Sequence, residues 1–595
     1  MIYWYEYVGE PLSLLLYTEW FPAWKVGALI LLFSAIPVLL LLVSAERLGA
    51  ASRNRLALAV AGVAYLGTFI ATRYYLDEVF VNLEHAYNLH HHGLFSFNPY
   101  RPVAGTVEFA YYLLLAPFAF THLSLLYANF AFGLVIGGLH LVLLDRCLAS
   151  RDLGLRLGLL LCFAANPSLV RIFSNGFGGG LLSLVFFYSL WCHLEGRRER
   201  ALWAAAVMPL IRPDAVLYSA SAFLVSWAHD RVAPARQIAA ALGALLLYSA
   251  LCRFFYGVWV PNPIVFKSFA PCLIPLLSLG ELWMIGLFFA RAQQAVFALI
   301  AAYALFIRGF DEKKIRWHFL MMGGLFVFYT ATAYNPIGDG RYYVGFELML
   351  TLFPLLYLDR RGLPLFTAAQ DVTAGRNLRA ALRVSLCLAV VPVLAVSTLM
   401  SHQSRSAGEP APPYTAGGQI IDRLLPASWR VATTELNAFG YMNDRQIVDL
   451  WGYTNPDIAR SDTFSRLGRI RVNPDILLLE RPEAFWYRTY EKAKAPDRLR
   501  FEDDPERAFH FAANLSRELN QAGHPVEMAR YYDFVILTTG SWVTVLFVRN
   551  DLTRELSSRL EASGYRIRKE RRIDTEKLKA WFESRPEGLF RCSTS

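Results

Sequence analysis

Apolar runs long enough to cross a hydrocarbon core of roughly 30 Å recur from Val26 to Leu399, and they constrain the fold more than any other feature. After Ser401 the sequence becomes charged and dotted with prolines, as in a soluble domain. With 55% hydrophobic and only 18% charged residues, the 595-residue chain is too apolar for a soluble protein. We therefore predict a polytopic α-helical membrane part, residues 1–400, followed by an extracytoplasmic α/β domain, residues 401–595.

Short basic loops set the predicted orientation in the membrane. Loops such as 46–55 and 195–200 carry several arginines and are expected to face the cytoplasm. Both termini then lie on the outer side of a bacterial inner membrane. The predicted spans, about ten, are 26–45, 56–72, 122–144, 157–174, 181–194, 237–256, 292–307, 317–333, 343–358 and 384–400. Segments 201–211 and 214–228 are shorter, and we interpret them as a hairpin with Arg212 and Asp214 buried at its tip.

Charge and cysteine content exclude several classes of protein. The formal net charge of +10 comes from basic loops that the positive-inside rule explains, so no nucleic-acid partner is predicted. The seven cysteines form no CxxC pair and most lie in or beside apolar segments, which indicates neither a disulfide framework nor a zinc site. The N-terminus lacks a basic region before its apolar residues, and no cleavable signal peptide is expected.

Residues 75–99, "YLDEVFVNLEHAYNLHHHGLFSFNP", combine carboxylates and histidines just after a predicted span. Apolar residues recur at helical spacing, and the opposite stripe holds polar residues, namely Asp77, Glu84, Asn88 and His91. This pattern predicts an amphipathic helix at the outer membrane surface. Its polar stripe either faces water or carries functional carboxylates. Of the three consecutive histidines only His91 shares the stripe, so a metal ion here would be held by Asp77, Glu84 and His91.

Three further elements place basic side chains near predicted turns or helix ends. "IGDGRYY" sets Asp339 and Arg341 in a glycine-flanked outer turn. Arg341 is either an exposed partner of Asp339 or a bidentate phosphate ligand, the geometry that a guanidinium suits best. "VPNPIVFKS" adds Lys267 to the same side, as a second positive charge or as a snorkelling side chain. For Arg212 in "LIRPDA", a structural pair with Asp214 is the alternative to phosphate binding.

The tail alternates strand-like with helix-like segments. The strand-like runs are "RVATTE", "QIVDLWG", "DILLLE", "DFVILTT" and "WVTVLFV". The helix-like stretches include "GQIIDRLL", "PDIARSDTFSRLGRI" and "LTRELSSRLEAS". This alternation predicts a small α/β domain.

Several motifs, in order, resemble one family. They are "LDEVFVNLEHAYNLHHHGLFSFNPYRPVAGTVEFAYYLLLAPF", "RPDA", "VPNPIVFK", "GDGRYYVGFELMLTLFPLL" and, in the tail, "LNAFGYMNDRQIVDLWGYTNPDIAR". They are similar to motifs of GT-C fold glycosyltransferases that use polyprenyl-phosphate sugars, especially the mycobacterial terminal arabinofuranosyltransferase group and its bacterial relatives. Two positions depart from the pattern: Glu78 stands where arabinosyl enzymes usually show Asp, and Arg341 lies closer to Asp339 than usual.

The resemblance implies a GT-C type membrane glycosyltransferase with an extracytoplasmic active site. The catalytic candidates are Asp77 and Glu78: the resemblance makes Asp77 the general base and puts Glu78 near the donor phosphate, while their adjacency on a helix leaves open which of the two is the base. The donor phosphate would be bound by Arg341, Lys267 and Arg212. The acceptor would be bound, or the site shaped, by Glu84, His85, Asn88, Asn98, Glu108 and Asp339. No cofactor is required, and a divalent cation is optional.

The expected partners are a polyprenyl-phosphate sugar as the donor, an envelope glycan or lipid as the acceptor, and membrane lipids. Outside the membrane no nucleotide sugar is available, so the donor must be membrane-anchored. Its leaving phosphate needs cations, and the acceptor hydroxyl needs a carboxylate base. Two alternatives remain: a noncatalytic GT-C-like scaffold of the envelope or of motility, and a lipid or glycan transporter, which predicts inverted repeats that the sequence does not display.

Overall fold

The computed structural model of the protein describes most of the helical part and portions of the tail. The described residues are 50–72, 77–99, 102–149, 153–174, 176–231, 233–264, 292–306, 313–332, 343–361, 418, 420–433, 440, 445–449, 481–491, 532–539, 542–562 and 567–571. The predicted spans 26–45 and 384–400 lie outside this set, as do Lys267, Asp339 and Arg341.

Thirteen α-helices make up the described helical part. In chain order they are α1 Ala50–Thr72, α2 Asp77–His92, α3 Phe109–Leu115, α4 His122–Cys147, α5 Leu153–Ala164, α6 Pro167–Ser174, α7 Gly179–Leu194, α8 Arg198–Ile211, α9 Val216–Asp230, α10 Ala235–Tyr256, α11 Ala292–Phe306, α12 Lys313–Thr332 and α13 Val344–Arg361. Short 3₁₀ turns at Ala116–Phe118 and Pro213–Ala215 follow α3 and α8.

Two helices of the described chain are long and apolar enough to cross a membrane, at Ser124–Cys147 and Ala235–Tyr256. Helix α10 leaves large apolar side chains exposed, with Leu246 at 70% and Phe254 at 81%. Such a row of exposed apolar side chains is what a lipid-facing helix presents. The count of about ten spans stays a prediction.

The segment predicted as one span at 157–174 is instead two helices. Helix α5 ends at Ala164 and α6 begins at Pro167. Pro167 has no N–H to continue the helix, and the Asn166 side-chain oxygen accepts hydrogen bonds from the N–H groups of Ser168 (3.1 Å) and Leu169 (3.2 Å). A side-chain cap therefore starts the second helix where the sequence pattern indicated a continuous one.

The hairpin predicted around "RPD" is present. The Ser219 hydroxyl of α9 donates to the Ala205 carbonyl of α8 (2.6 Å), and Arg198 donates to Ser226 (3.1 Å) at the open end. Arg212, at the tip, is 3% exposed. At a rise of about 1.5 Å per residue, the 14 residues of α8 extend about 21 Å, less than a hydrocarbon core. Partial crossing of the membrane stays a prediction.

Close packing of α4 against α6 gives a glycine substitution a specific expected effect. A Cβ added at Gly133 would lie 2.3 Å from the Phe173 carbonyl oxygen, whereas one added at Gly138 on the same helix meets nothing within 4 Å. We expect Gly133→Ala to destabilise the protein by about 1–3 kcal/mol through overpacking. Gly138→Ala should be neutral or gain up to about 1 kcal/mol of helix propensity. Thermal unfolding of the detergent-purified variants measures both, and equal midpoints would contradict this packing.

The described residues of the tail form a six-stranded sheet. Its strands are β1 Val431–Thr433, β2 Ile447–Asp449, β3 Ala484–Glu491, β4 Tyr532–Thr539, β5 Trp542–Arg549 and β6 Ile567–Arg571, in the order β2-β1-β3-β5-β4-β6. Strands β1, β2 and β3 are parallel, and the other pairs are antiparallel. Helix α14, Asn550–Ala562, contributes Leu556 and Leu560 to the core beside the sheet.

The tail prediction is confirmed in part. Four of the predicted strands coincide with β1, β2, β4 and β5, and one predicted helix coincides with α14. In the predicted helix "GQIIDRLL", residues 418 and 420–424 are also helical. "DILLLE" and "PDIARSDTFSRLGRI" lie outside the described residues. Strands β3 and β6 were not predicted. "IRKER" is mostly charged, and "AFWYRTYE" breaks its apolar run with Arg488 and ends in Glu491.

Candidate active site

Helix α2 begins at Asp77, as predicted, and it is buried on all sides over its middle turns. Every side chain from Val79 to Ala86 is buried, and so is Asn88. Helices α3 and α4 pack against α2, and Val81 on another face joins the core of the C-terminal sheet. The interpretation that the polar stripe faces water is therefore wrong for Glu84 and Asn88, which are 3% and 1% exposed. The side chains of Asp77 and Glu78 lie outside the description.

Glu84 is paired with a histidine that the sequence analysis did not single out. Its Oε2 lies 3.2 Å from Nε2 of His122, whose side chain is 25% exposed against 5% for Glu84. His122 is the first residue of α4, and Thr121 caps that helix by accepting a hydrogen bond from the Ser124 N–H. The Tyr87 ring stacks between His122 (3.7 Å) and His91 (3.9 Å). A carboxylate, two imidazoles and a phenol ring thus meet beside α2.

His85 plays a packing role. Its Nδ1 lies 2.7 Å from the Val81 carbonyl oxygen, and its ring lies 5.5 Å from that of Phe95. Burial lowers the pKa of His85 to about 4. The imidazole is therefore neutral near pH 7, and it shapes the site without carrying charge.

Loop 93–108 after α2 is held by buried side chains. Asn88 donates from Nδ2 to the carbonyl oxygens of Ser96 and Phe97, both at 2.8 Å. The Ser96 hydroxyl in turn accepts from the Val103 N–H (2.9 Å). Asn98, 6% exposed, forms hydrogen bonds with Ile447 in the tail. The loop is therefore hydrogen-bonded to α2 through Asn88 and to the tail through Asn98.

Helix α10 and the residues after it hold the same loop from another direction. Tyr248 donates to the Val107 carbonyl (3.2 Å), and Tyr256 donates to the Phe95 carbonyl. The backbone N–H of Asn262, in the predicted "VPNP" element, donates to the Ala104 carbonyl (3.0 Å). Two motifs far apart in sequence are thus brought together.

A buried ionic cluster joins the loop to the tip of the α8–α9 hairpin. Arg212 donates from Nη1 to Glu108 (3.2 Å) and, through Nε and Nη2, to both oxygens of Asp214 (3.0 and 2.9 Å). The second oxygen of Glu108 accepts from the Gly178 N–H at 2.8 Å, just before α7. Glu108 and Arg212 are 2% and 3% exposed. The guanidinium is thus engaged by two carboxylates, which is the structural alternative to phosphate binding.

Tyr112, near this cluster, was not predicted. Its hydroxyl donates to the Gly176 carbonyl at 2.9 Å. Burial, and after it the Glu108 carboxylate, raise the pKa of Tyr112 well above its ordinary value. The phenol therefore remains a hydrogen-bond donor.

No group of three or more His, Cys, Asp or Glu side chains is placed to hold a metal ion among the residues that the structure describes. Of the predicted ligand set, Glu84 faces His122. Both ring nitrogens of His91 lie near backbone carbonyl oxygens, those of Tyr87 (3.0 Å) and Phe120 (3.1 Å). The cation site with Asp77, Glu84 and His91 stays a prediction.

We expect His122→Ala to destabilise the protein by about 1–2 kcal/mol, because it removes the side chain that faces the buried Glu84 carboxylate and one ring of the stack. His92 lies in the histidine tract and is exposed. His92→Ala should stay within about 0.5 kcal/mol of wild type. Thermal midpoints in detergent compare the two, and an equal effect of both substitutions would argue against the Glu84–His122 pair.

Comparisons with known proteins give limited similarity. A family model described as a domain of unknown function (DUF8728) matches residues 403–534, less than half of the chain. No curated protein matches the sequence. Among solved structures, the chain is similar to the archaeal oligosaccharyltransferase AglB from Archaeoglobus fulgidus, in complex with an inhibitory peptide and a dolichol-phosphate. That similarity has a TM-score of 0.42 and 11% identity, and it covers 86% of this chain and 77% of that chain.

Proposed function

We propose that the protein is a membrane glycosyltransferase of the GT-C type. It transfers a sugar from a polyprenyl-phosphate donor to an envelope glycan or lipid acceptor on the outer face of the inner membrane. The order of motifs in the sequence supports the family. The observation that carries the proposal is the burial of ionisable groups around α2 and loop 93–108, a placement that is costly unless it serves function or a buried pair.

The arrangement of helix ends supports a single site at one end of the bundle. Helix α7 begins beside Glu108, α8 ends at the Arg212 tip, and α10 ends where Tyr256 reaches the loop. A Cβ on Gly179 would lie 3.0 Å from Val344, the first residue of α13. In the sequence, Lys267 follows α10 and Arg341 precedes α13, and the proposal assigns both side chains to this end.

The proposed reaction is a single displacement. Asp77 removes the proton of the acceptor hydroxyl as that oxygen bonds to the anomeric carbon. The bond from this carbon to the phosphate oxygen breaks, and the polyprenyl phosphate leaves with the electron pair. Arg341 and Lys267 stabilise the departing negative charge. Because nucleophile and leaving group lie on opposite faces of the sugar, the configuration inverts.

In this proposal Arg212 holds the framework of the site. Its contacts with Glu108 and Asp214 fix the hairpin tip against loop 93–108. Asn88 positions the loop from α2, and Asn98 of the loop joins it to Ile447 in the tail, whereas Glu84 fixes α2 against His122 of α4.

The test is sugar transfer from a panel of radiolabelled polyprenyl-phosphate sugars in membranes that express the protein. Wild type should transfer one sugar, and Arg341→Ala should lower transfer by a factor of about 10² or more, as for removal of one donor to a developing anion. Arg236→Ala, an exposed arginine of α10, is the matched control and should retain activity. No transfer from any donor at normal protein levels would favour the noncatalytic scaffold.

A further inference from the structure

A buried asparagine pairs with the outer side of a strand in the C-terminal sheet. Among the described strands, β2 is the first in the sheet order. Asn98 donates from Nδ2 to the Ile447 carbonyl and accepts from the Ile447 N–H, both at 3.3 Å. One side-chain amide thus supplies the two partners that a further strand would offer, and it satisfies backbone groups that an open edge leaves exposed.

An aromatic ring and a glycine make the second contact. Phe97, 2% exposed, belongs to the same hydrophobic cluster as Val81 of α2 and the tail residues Ile420, Ile421, Trp429, Val431 and Ile447. Gly440 lies against this ring, because a Cβ added there would lie 2.2 Å from Phe97 Cζ. A larger residue at position 440 would force the buried ring or the tail to shift.

The contact continues directly to α2. Asn88 holds the carbonyl oxygens of Ser96 and Phe97, the two residues that precede Asn98. Val81 packs into the tail's core from the same helix. The tail, loop 96–98 and the helix that begins at Asp77 are therefore joined by a continuous set of contacts.

We propose that the C-terminal domain is a docked part of the candidate active site and not a freely tethered module. Phe97, Asn98 and Gly440 are the positioning residues of this interface. They hold loop 93–99 and α2 in the geometry that sugar transfer requires. The role in transfer rests on the proposed function, whereas docking stands without it.

The test cleaves the full chain between the helical part and the tail and asks whether the two fragments stay associated. A specific protease site is placed within residues 401–417, and the protein is cleaved in mild detergent and recovered by a tag on the tail. The wild-type fragments should stay together. Asn98→Asp keeps the shape of the side chain but loses the donor to Ile447 and buries a carboxylate. We expect Asn98→Asp and Gly440→Ala each to weaken association of the fragments about tenfold or more.

Matched controls and a rescue variant distinguish docking from misfolding. Asn54→Asp, at a half-buried position of α1, and Gly138→Ala, at an open position, should leave the fragments associated. Phe97→Leu combined with Gly440→Ala makes room for the added methyl group and should restore association, which general misfolding would not permit.

Two results would overturn the inference: separation of the wild-type fragments after cleavage, or wild-type association in both interface variants. Sugar transfer is measured on the same uncleaved samples. Docking that depends on Asn98 and Gly440, without transfer from any donor, would refute the proposed function alone. Normal transfer in variants that have lost docking would refute the positioning role alone.

Discussion

Replacing Arg212 by Met is expected to destabilise the protein by about 3–5 kcal/mol, the cost of leaving a buried charge without its partner. The side chains of Arg212 and Glu108 are only 4% and 3% exposed. Without the guanidinium, Glu108 still accepts the hydrogen bond from the Gly178 N–H, but the positive charge that compensates its carboxylate is gone. The Asp214 side chain is 30% exposed. Its carboxylate can be hydrated by water, so the loss of its partner contributes less to the destabilisation. Denaturation of the detergent-purified protein measures the change.

The source of this effect is tested by removing the second charge as well. Arg212→Met together with Glu108→Gln should recover much of the lost stability, because no deeply buried charge is left uncompensated and the remaining Asp214 carboxylate is 30% exposed. Arg236→Met, the same change at an exposed position of α10, should stay within about 0.5 kcal/mol of wild type. If the double variant is as unstable as the sum of its two single variants, lost packing and not lost charge pairing explains the instability.

The local spacing of apolar residues was enough to predict helix α2 and the hairpin, but not which parts of the chain pack around them. The helical spacing of apolar residues predicted α2, and the short segments around "RPD" predicted the hairpin. The burial of Glu84 and Asn88 could not be read from that spacing, because the structures that cover them come from elsewhere in the chain. Asn98 and Ile447, for example, are separated by 349 positions.

The same reason explains the side-chain pairs that were missed. The partner of Glu84 lies 38 positions away, at the start of α4, and the partner of Glu108 lies 104 positions away. Neither separation matches a helical or strand period, so periodicity carries no signal for either pair. The sequence did carry a signal for the break at Pro167. An Asn-Pro pair inside an apolar run marks a helix boundary. At this position the signal outweighs the continuous hydropathy of the run.

Asp77→Asn is expected to lower sugar transfer by a factor of about 10²–10⁴, the usual contribution of a general base. The amide keeps the size of the carboxylate but cannot take the proton of the acceptor hydroxyl. Asp77 is the first residue of α2, so the substitution adds no bulk to the packed turns from Val79 onward. Transfer from the active donor, at matched protein levels in the membrane, is the measurement.

The neighbouring Glu78 makes this test specific. Adjacent residues on a helix point about 100° apart, so only one of the two carboxylates can reach the acceptor hydroxyl in one bound geometry. If Asp77 is the base, Glu78→Gln should lower transfer far less than Asp77→Asn. Asp551→Asn, an exposed aspartate at the start of α14, controls for the chemical change and should leave transfer intact. Collapse of transfer in Glu78→Gln with full activity in Asp77→Asn would move the base by one residue, whereas full activity in both would remove general-base catalysis by α2 from the mechanism.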